Sequence, residues 1–277
     1  MVLIIVRHSE RIDEVDKVRW NQIKEANAKA RSKALNKAKS LKTDDTAKVH
    51  FRDDYSFAHD PILTENGISI AADSGVTIKN LLETSYPSCR VKLYSSKLIR
   101  SVQTAHQISL ALGNIPIHLS SGVASVAAAV KKKINQGQEF QLMTHEETSR
   151  YCPDVKLIDV DDVIPKQKSK SALRRILSLD EGDSSIIHLV VAHRETLRSL
   201  AGCHLKTPYC VIGIFCTDSN DDLLKDSSSV SVSAKDSSSS SSLPETRREE
   251  KEKKVSFKLQ RTFDKDGNLI NTCCSII

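Results

Sequence analysis

The chain has 277 residues, room for one large domain or two small ones, and its 39% hydrophobic content supplies a sizeable core, which excludes a wholly disordered protein. A net charge of +6 arises in local segments, and 4% aromatic residues with no finger spacing or stacking platform argue against nucleic acid as a partner. Seven cysteines without CxxC spacing leave one unpaired in any disulfide scheme, so a reducing, cytoplasmic setting is expected, and no apolar run approaches a signal-peptide core or a membrane span.

The first predicted element is a strand, Val2-Leu3-Ile4-Ile5-Val6, ending at Arg7-His8. Five apolar, mostly β-branched residues in a row read as a strand buried on both faces, as in a parallel sheet. An Ala/Lys-rich helix over 22–42 follows, with Ile23, Ala26, Ala30, Ala34, Ala38 and Leu41 as a thin apolar stripe; the basic insertion as a whole spans about 22–48. It reads as a solvated helix, with a docking surface for an acidic partner or membrane as the alternative. Strand and helix signals then alternate: helix 67–82, strand 90–94, helix 98–112, strand 115–119, helix 171–179, the apolar strand 186–192 ending on His193, and helix 195–201. This βα rhythm predicts a three-layer α/β/α sandwich around a mostly parallel sheet. After a strand at 209–216, serine tracts and a charged run over about 217–254 predict a long disordered loop inside one domain, because the alternating Val255-Ser256-Phe257-Lys258-Leu259 resumes strand character.

Ligands collect where parallel strands end. Arg7, His8 and His193 at that edge would form a compact cationic pocket suited to gripping a phosphate and attacking its phosphorus. A lone histidine after a strand is more often a loop or core residue, so the weight rests on the pairing with arginine and on a third constellation, residues 94–105. There a strand yields to a helix carrying Arg100 in its first turn.

Four segments occur in the order seen in one family: Arg7-His8-Ser9-Glu10-Arg11, Asp60-Pro61-Ile62-Leu63-Thr64-Glu65-Asn66-Gly67, the stretch from Ser95 to Ala105, and Val190-Val191-Ala192-His193. They resemble the histidine phosphatase superfamily, also called phosphoglycerate mutase-like, over nearly the whole chain. Ile12-Asp13, Trp20 and Thr207-Pro208-Tyr209-Cys210 look most like the phosphatase domain of the suppressors of T-cell receptor signalling and the ecdysteroid-phosphate phosphatases. The resemblance implies a metal-independent phosphatase without a cofactor. His8 would be the nucleophile, Arg7, Arg100 and Arg11 would clamp the phosphate, and His193 would add a hydrogen bond. Guanidinium groups suit this because they stay charged and bind oxyanions bidentately.

The family's acid glutamate is missing. Its position falls on Ser125 within Ser121-Gly122-Val123-Ala124-Ser125, and a serine supplies no readily released proton, a loss that general-acid catalysis values at about 10²–10⁴-fold. Glu139, Glu146 or Glu147 would stand in if their loop folded back. Ser9 and Arg194 also depart from the family's small residues; Arg194 either crowds the pocket or adds a substrate contact. Two functions therefore stand: a phosphomonoester hydrolase acting through a phosphohistidine on a phosphorylated small molecule or a phosphotyrosine-type substrate, and a degenerate phosphate-binding or scaffold protein. A mutase finds no support in the sequence. At the end of the chain Cys274 opens a loose C-a-a-X pattern with Cys273 beside it, so a lipid-mediated membrane contact is an expectation held against that of an ordinary apolar terminus.

Overall fold

Alternate side chains of β1 (Val2–Arg7) enter opposite faces of a sheet. Ile4 and Val6 join one apolar cluster and Leu3 and Ile5 another, all four fully buried. A strand covered on both sides needs no polar alternation, which is why this segment reads as an unbroken apolar run. The computed structural model describes residues 1–40, 52–125, 128–137, 139–160, 169–181, 183–201, 207–217 and 257–268.

The chain continues through α1 (Ile12–Val15), α2 (Lys17–Ser40), α3 (Asp54–Ala58), α4 (Glu65–Ser85), β2 (Arg90–Ser96), α5 (Ile99–Ala111), β3 (Ile117–Ser120) and a 3-10 turn (Ser121–Val123). Then come α6 (Ala128–Asn135), α7 (His145–Ser149), β4 (Leu157–Asp159), α8 (Ser169–Ser178), β5 (Ile186–Ala192), α9 (Arg194–Ala201), β6 (Ile212–Thr217) and β7 (Phe257–Phe263). They build a 7-stranded sheet in the order β4-β3-β2-β5-β1-β6-β7. The first five strands in sequence are parallel, and β6 and β7 add an antiparallel edge. Ile78 and Leu82 of α4 and Val102 and Ile108 of α5 pack on one face. Leu173 and Ile176 of α8 and Leu197 and Leu200 of α9 pack on the other. The result is the three-layer α/β/α sandwich with a mostly parallel sheet that the βα alternation predicts.

Three local expectations change. Helix α2 begins at Lys17 and buries Trp20; of the predicted stripe Ile23 and Ala34 are partly buried, together with Ala28, Arg31 and Leu35, while Ala26 and Ala30 are exposed. Trp20 sets this face, because an indole buried against Phe57 at 5.4 Å between ring centroids outweighs several alanine methyls. Strand β6 starts at Ile212 rather than at residue 209, because Cys210 takes a φ of 53° and the Val211 N–H closes a turn onto the Pro208 carbonyl. Elements α1, α3, α7 and β4 have no signal in the sequence, being too short to show a period, and α6 has no predicted counterpart. The serine tracts and charged run of 218–254, the end of the basic insertion at 41–48, and the terminus with Cys273 and Cys274 lie outside the described residues. Among the described residues no helix is long and apolar enough to cross a membrane.

Helix α4 is held against the loop that follows His8. Its N-cap Thr64 accepts the Gly67 N–H at 2.7 Å and donates to a Glu10 carboxylate oxygen at 2.6 Å, while the Thr64 N–H reaches the Glu10 carbonyl at 3.1 Å. A β-carbon on Gly67 would lie 2.4 Å from that same carbonyl oxygen. Replacing Gly67 by alanine must therefore push the helix and the loop apart, and thermal unfolding of Gly67→Ala is expected to show a loss of about 1–3 kcal/mol.

On β5, His188 is fully buried, stacks on Tyr94 at 5.8 Å and holds Nε2 3.8 Å from Asp180 Oδ2, whose partner oxygen already binds Lys92 at 2.5 Å. Burial pushes its pKa down to about 4. Because the folded value lies below the unfolded one near 6.5, this histidine's neutral form stabilises the fold above pH 6.5, and that contribution is lost as pH falls through about 4. The size is about 3 kcal/mol at 1.36 kcal/mol per unit. Urea unfolding between pH 7 and 4 is expected to show a shallower acid decline for His188→Leu than for the natural sequence; parallel declines would remove His188 as the cause.

Candidate active site

The register of β1 against β5 builds the centre of the site. Arg7 pairs with Ala192, and the His8 N–H donates to the Ala192 carbonyl at 3.0 Å, so the next residue on each strand is a histidine at the C-terminal edge of the sheet. The His8 and His193 rings lie 5.3 Å apart by centroid. Strand β2 runs on the other side of β5, with Ser95 opposite Val191, and this brings the Ser96 hydroxyl to 3.0 Å from His193 Nε2. Immediately after β2, the first turn of α5 delivers Arg100. The structure thus brings together Arg7, His8, Arg100 and His193, all four at least nine-tenths buried.

Both histidines are held as neutral rings. Burial first, and then the charges of Arg100 and Arg7, push the pKa of His8 well below the usual imidazole value, against a hydrogen bond to the Ser9 carbonyl that favours protonation. That bond, 2.9 Å from Nδ1, assigns the ring hydrogen, because a carbonyl only accepts. The lone pair is therefore on Nε2. His193 is depressed in the same way, by burial and then by Arg100 and His8. Its Nδ1 sits 3.5 Å from an Arg100 nitrogen that only donates, which leaves Nε2–H for Ser96.

The arginines carry the positive charge that the histidines lack. Arg7 donates through Nη1 to the Thr207 carbonyl at 2.5 Å and lies 4.2 Å over the Tyr209 ring. Arg100 donates through Nη1 to Asp60 at 3.0 Å and through Nη2 to the Ser125 carbonyl at 2.9 Å. Burial lowers the pKa of Arg100 to about 10, the Asp60 carboxylate opposing the shift, so the guanidinium stays charged near neutral pH. The Nε–H groups of Arg7 and Arg100 are buried without an acceptor among the described residues. Two guanidinium groups thus flank the histidines, Arg7 next to His8 in the chain and Arg100 with Nη2 3.5 Å from His193 Nδ1, and such groups are chemically suited to oxyanions.

The other residues singled out by sequence separate into two groups. Arg11 lies near enough for its charge to be felt at His8 and Arg100, but its fork grips Asp13 at 2.9 and 2.5 Å and Glu14 at 3.3 Å. Burial pulls its pKa down, and the Asp13 hydrogen bond and charge outweigh this, leaving it raised. Arg194 is half exposed and pairs with Glu195 at 3.3 Å. Ser125 reaches the site through its carbonyl on Arg100. Glu146 and Glu147 sit on α7 beside β4, the edge strand that β3 and β2 separate from β5. Glu147 closes a capping box, its Oε2 accepting the Thr144 N–H at 2.9 Å, and Glu146 pairs with Arg150 at 3.5 Å. Glu139 is exposed.

Sequence reasoning missed several supports of this site. Thr104 accepts the Ser9 N–H at 3.0 Å and donates to the Arg100 carbonyl at 2.8 Å, tying the His8 loop to the helix that carries Arg100. Gln103 accepts the Leu63 N–H at 2.8 Å. Asp60 and Ser96 fall inside the ordered motifs, but their partners are distant in the chain. Tyr209 falls within the strand predicted over 209–216; the left-handed turn at Cys210 instead sets it over Arg7, its ring 6.3 Å from His8 and its hydroxyl donating to Glu14.

The sequence model described as the histidine phosphatase superfamily (branch 1) matches residues 45–212, a span holding Arg100 and His193 but not Arg7-His8. No curated protein matches the chain at a significant level. Solved structures similar in fold include the ecdysone phosphate phosphatase of Bombix mori in complex with tungstate, at 14% identity and a TM-score of 0.49, covering 78% of this chain and 89% of that one. A mycobacterial glucosyl-3-phosphoglycerate phosphatase complexed with VO3 is similar at 12% identity and a TM-score of 0.39, covering 78% and 91%. Because the family model spans more than half of the sequence, the chain belongs to the histidine phosphatase superfamily.

Proposed function

We propose that this protein is a phosphomonoester hydrolase that works through a phosphohistidine on His8. The observation that carries the reading is the hydrogen bond from His8 Nδ1 to the Ser9 carbonyl, which fixes the lone pair on Nε2 in a pocket lined by Arg7 and Arg100. Nε2 attacks the phosphorus and the ester P–O bond breaks, the electron pair leaving on the alcohol or phenol oxygen. Water then attacks the phosphohistidine, and phosphate departs as Nε2 recovers its lone pair. Each step is an easier displacement than direct hydrolysis. Guanidinium groups meet the phosphate charge, a role that needs no metal. A dianion beside His193 favours that ring's protonated form and would let Nδ1 donate to a phosphate oxygen.

The leaving oxygen needs a proton, and Ser125 holds a hydroxyl where the family holds a carboxyl. Phenols, with a pKa of about 10 by analogy with tyrosine, leave without much help, whereas alcohols do not. This favours an aryl phosphate, such as a phosphotyrosine-type substrate, over an alkyl one, in line with the likeness to the suppressors of T-cell receptor signalling. The same serine favours a second reading, a phosphate-binding protein with little turnover.

Steady-state hydrolysis of para-nitrophenyl phosphate separates the two. His8→Ala is expected to lose on the order of 10³-fold or more in rate, as removal of a nucleophile does; equal rates for the two proteins would overturn the enzymatic reading and leave phosphate binding. For the acid, Ser125→Glu is expected to raise turnover of alkyl phosphates more than that of aryl phosphates, by up to about 10²–10⁴-fold. A gain that ignores the leaving group would show that position 125 does not serve it.

A further inference from the structure

We propose that Asp60 is the positioning residue for Arg100, and that Arg52 shares the Asp60 carboxylate so that it orients Arg100 without cancelling its charge. The proposal rests on the phosphate-binding role of Arg100 given above. Asp60 is fully buried, and its two oxygens collect four contacts from three donor groups. The Ile99 N–H approaches both at 3.1 and 3.0 Å, Arg100 Nη1 binds one at 3.0 Å, and Arg52 Nη1 binds the other at 2.6 Å.

The arrangement answers a local deficiency of α5. Its N-cap residue is Leu98, which has no side-chain acceptor, so the first turn has no cap of its own. Asp60, 39 residues earlier, supplies the missing acceptor to Ile99. The same carboxylate takes one prong of Arg100, the next residue, while the Ser125 carbonyl takes the other. Two anchors on opposite prongs fix the plane of the guanidinium and leave its Nε–H, buried and without an acceptor among the described residues, as the donor with a settled direction. Pre-set donors of this kind stabilise developing charge without reorganising.

A carboxylate beside a phosphate-binding arginine carries an obvious penalty, since a neutral pair attracts an anion weakly. Arg52 removes it. Two guanidinium groups on one carboxylate leave a net positive charge, and Arg52 is itself held by the Gln141 carbonyl at 2.6 Å and by the Phe140 ring at 5.6 Å. Arg52 is buried and binds Asp60, the carboxylate that also holds Arg100. It strengthens the pull on a phosphate from a distance, in a medium where charges are poorly screened.

A double-mutant cycle tests this. Asp60→Asn, Arg100→Ala and the double variant are compared by kcat/KM on para-nitrophenyl phosphate and by calorimetric affinity for inorganic phosphate, with circular dichroism to verify folding. Asp60→Asn is expected to lower kcat/KM on the order of 10²-fold in the natural background but roughly threefold or less once Arg100 is gone, because residues acting through one another are not additive. An equal loss in both backgrounds would overturn the proposal. If Asp60→Asn does not fold, Arg52→Met decides. It keeps the Asp60–Arg100 bond and is expected to raise KM and weaken phosphate binding with kcat little changed, with Arg52→Lys recovering part of the loss; unchanged phosphate affinity would overturn it. Absence of His8-dependent turnover in the natural sequence would instead reject the enzymatic reading, and the phosphate-affinity cycle would still decide the role of Asp60.

Discussion

Everything at this site depends on the in-register parallel pairing of β1 with β5. The two strands carry their histidines at the same relative position, one residue beyond the paired Arg7 and Ala192, so a single ladder of backbone hydrogen bonds brings His8 and His193 to one point. A slip of one residue would exchange the faces of the whole strand, sending Ile4 and Val6 where Leu3 and Ile5 belong. The two apolar clusters, one under α4 and α5 and one under α8 and α9, forbid that slip. The hydrophobic core therefore sets the geometry of the polar site, because the residues that bury the strand fix the register of the residues that end it.

Burial then divides the charged and the neutral groups. Imidazole gives up its proton readily when removed from water, whereas guanidinium holds on even when desolvated. The same low-polarity surroundings thus yield two neutral histidines with available nitrogen chemistry and arginines that remain cations. Loops complete the arrangement through backbone groups. The carbonyls of Ser9, Thr207 and Ser125 each hold one site side chain, a contribution made by the backbone at these positions.

The fold class was legible because strands buried on both faces leave unbroken apolar runs and helices leave periodic ones; β1, β5, α4 and α5 all fall close to where those patterns put them. Short elements were not. Strand β4 with three residues and α7 with five have no room for a period, and they settle where α7 and its candidate acids Glu146 and Glu147 sit, at the edge of the sheet rather than beside the histidines. On α2 the alanine periodicity places the helix start at 22 and leaves out Trp20, whose buried indole turns the inner face.

Sequence by itself determined which residue types stand at the strand ends: histidines directly after two apolar strands, one of them preceded by an arginine, and a further arginine at the start of a helix that follows a strand. These are local facts, carried by residue type and by the hydrophobic pattern of a few neighbours. Tertiary structure alone decided which of them are in contact and what state they are in. Asp60, Arg52 and Arg100 come from a loop, a segment before α3 and the start of α5, and no periodicity links them. Likewise the tautomer of His8 depends on a carbonyl whose direction the backbone sets, and the neutral state of both histidines depends on the depth of burial. Those are properties of packing, and they arise only when segments far apart in the chain close over one another.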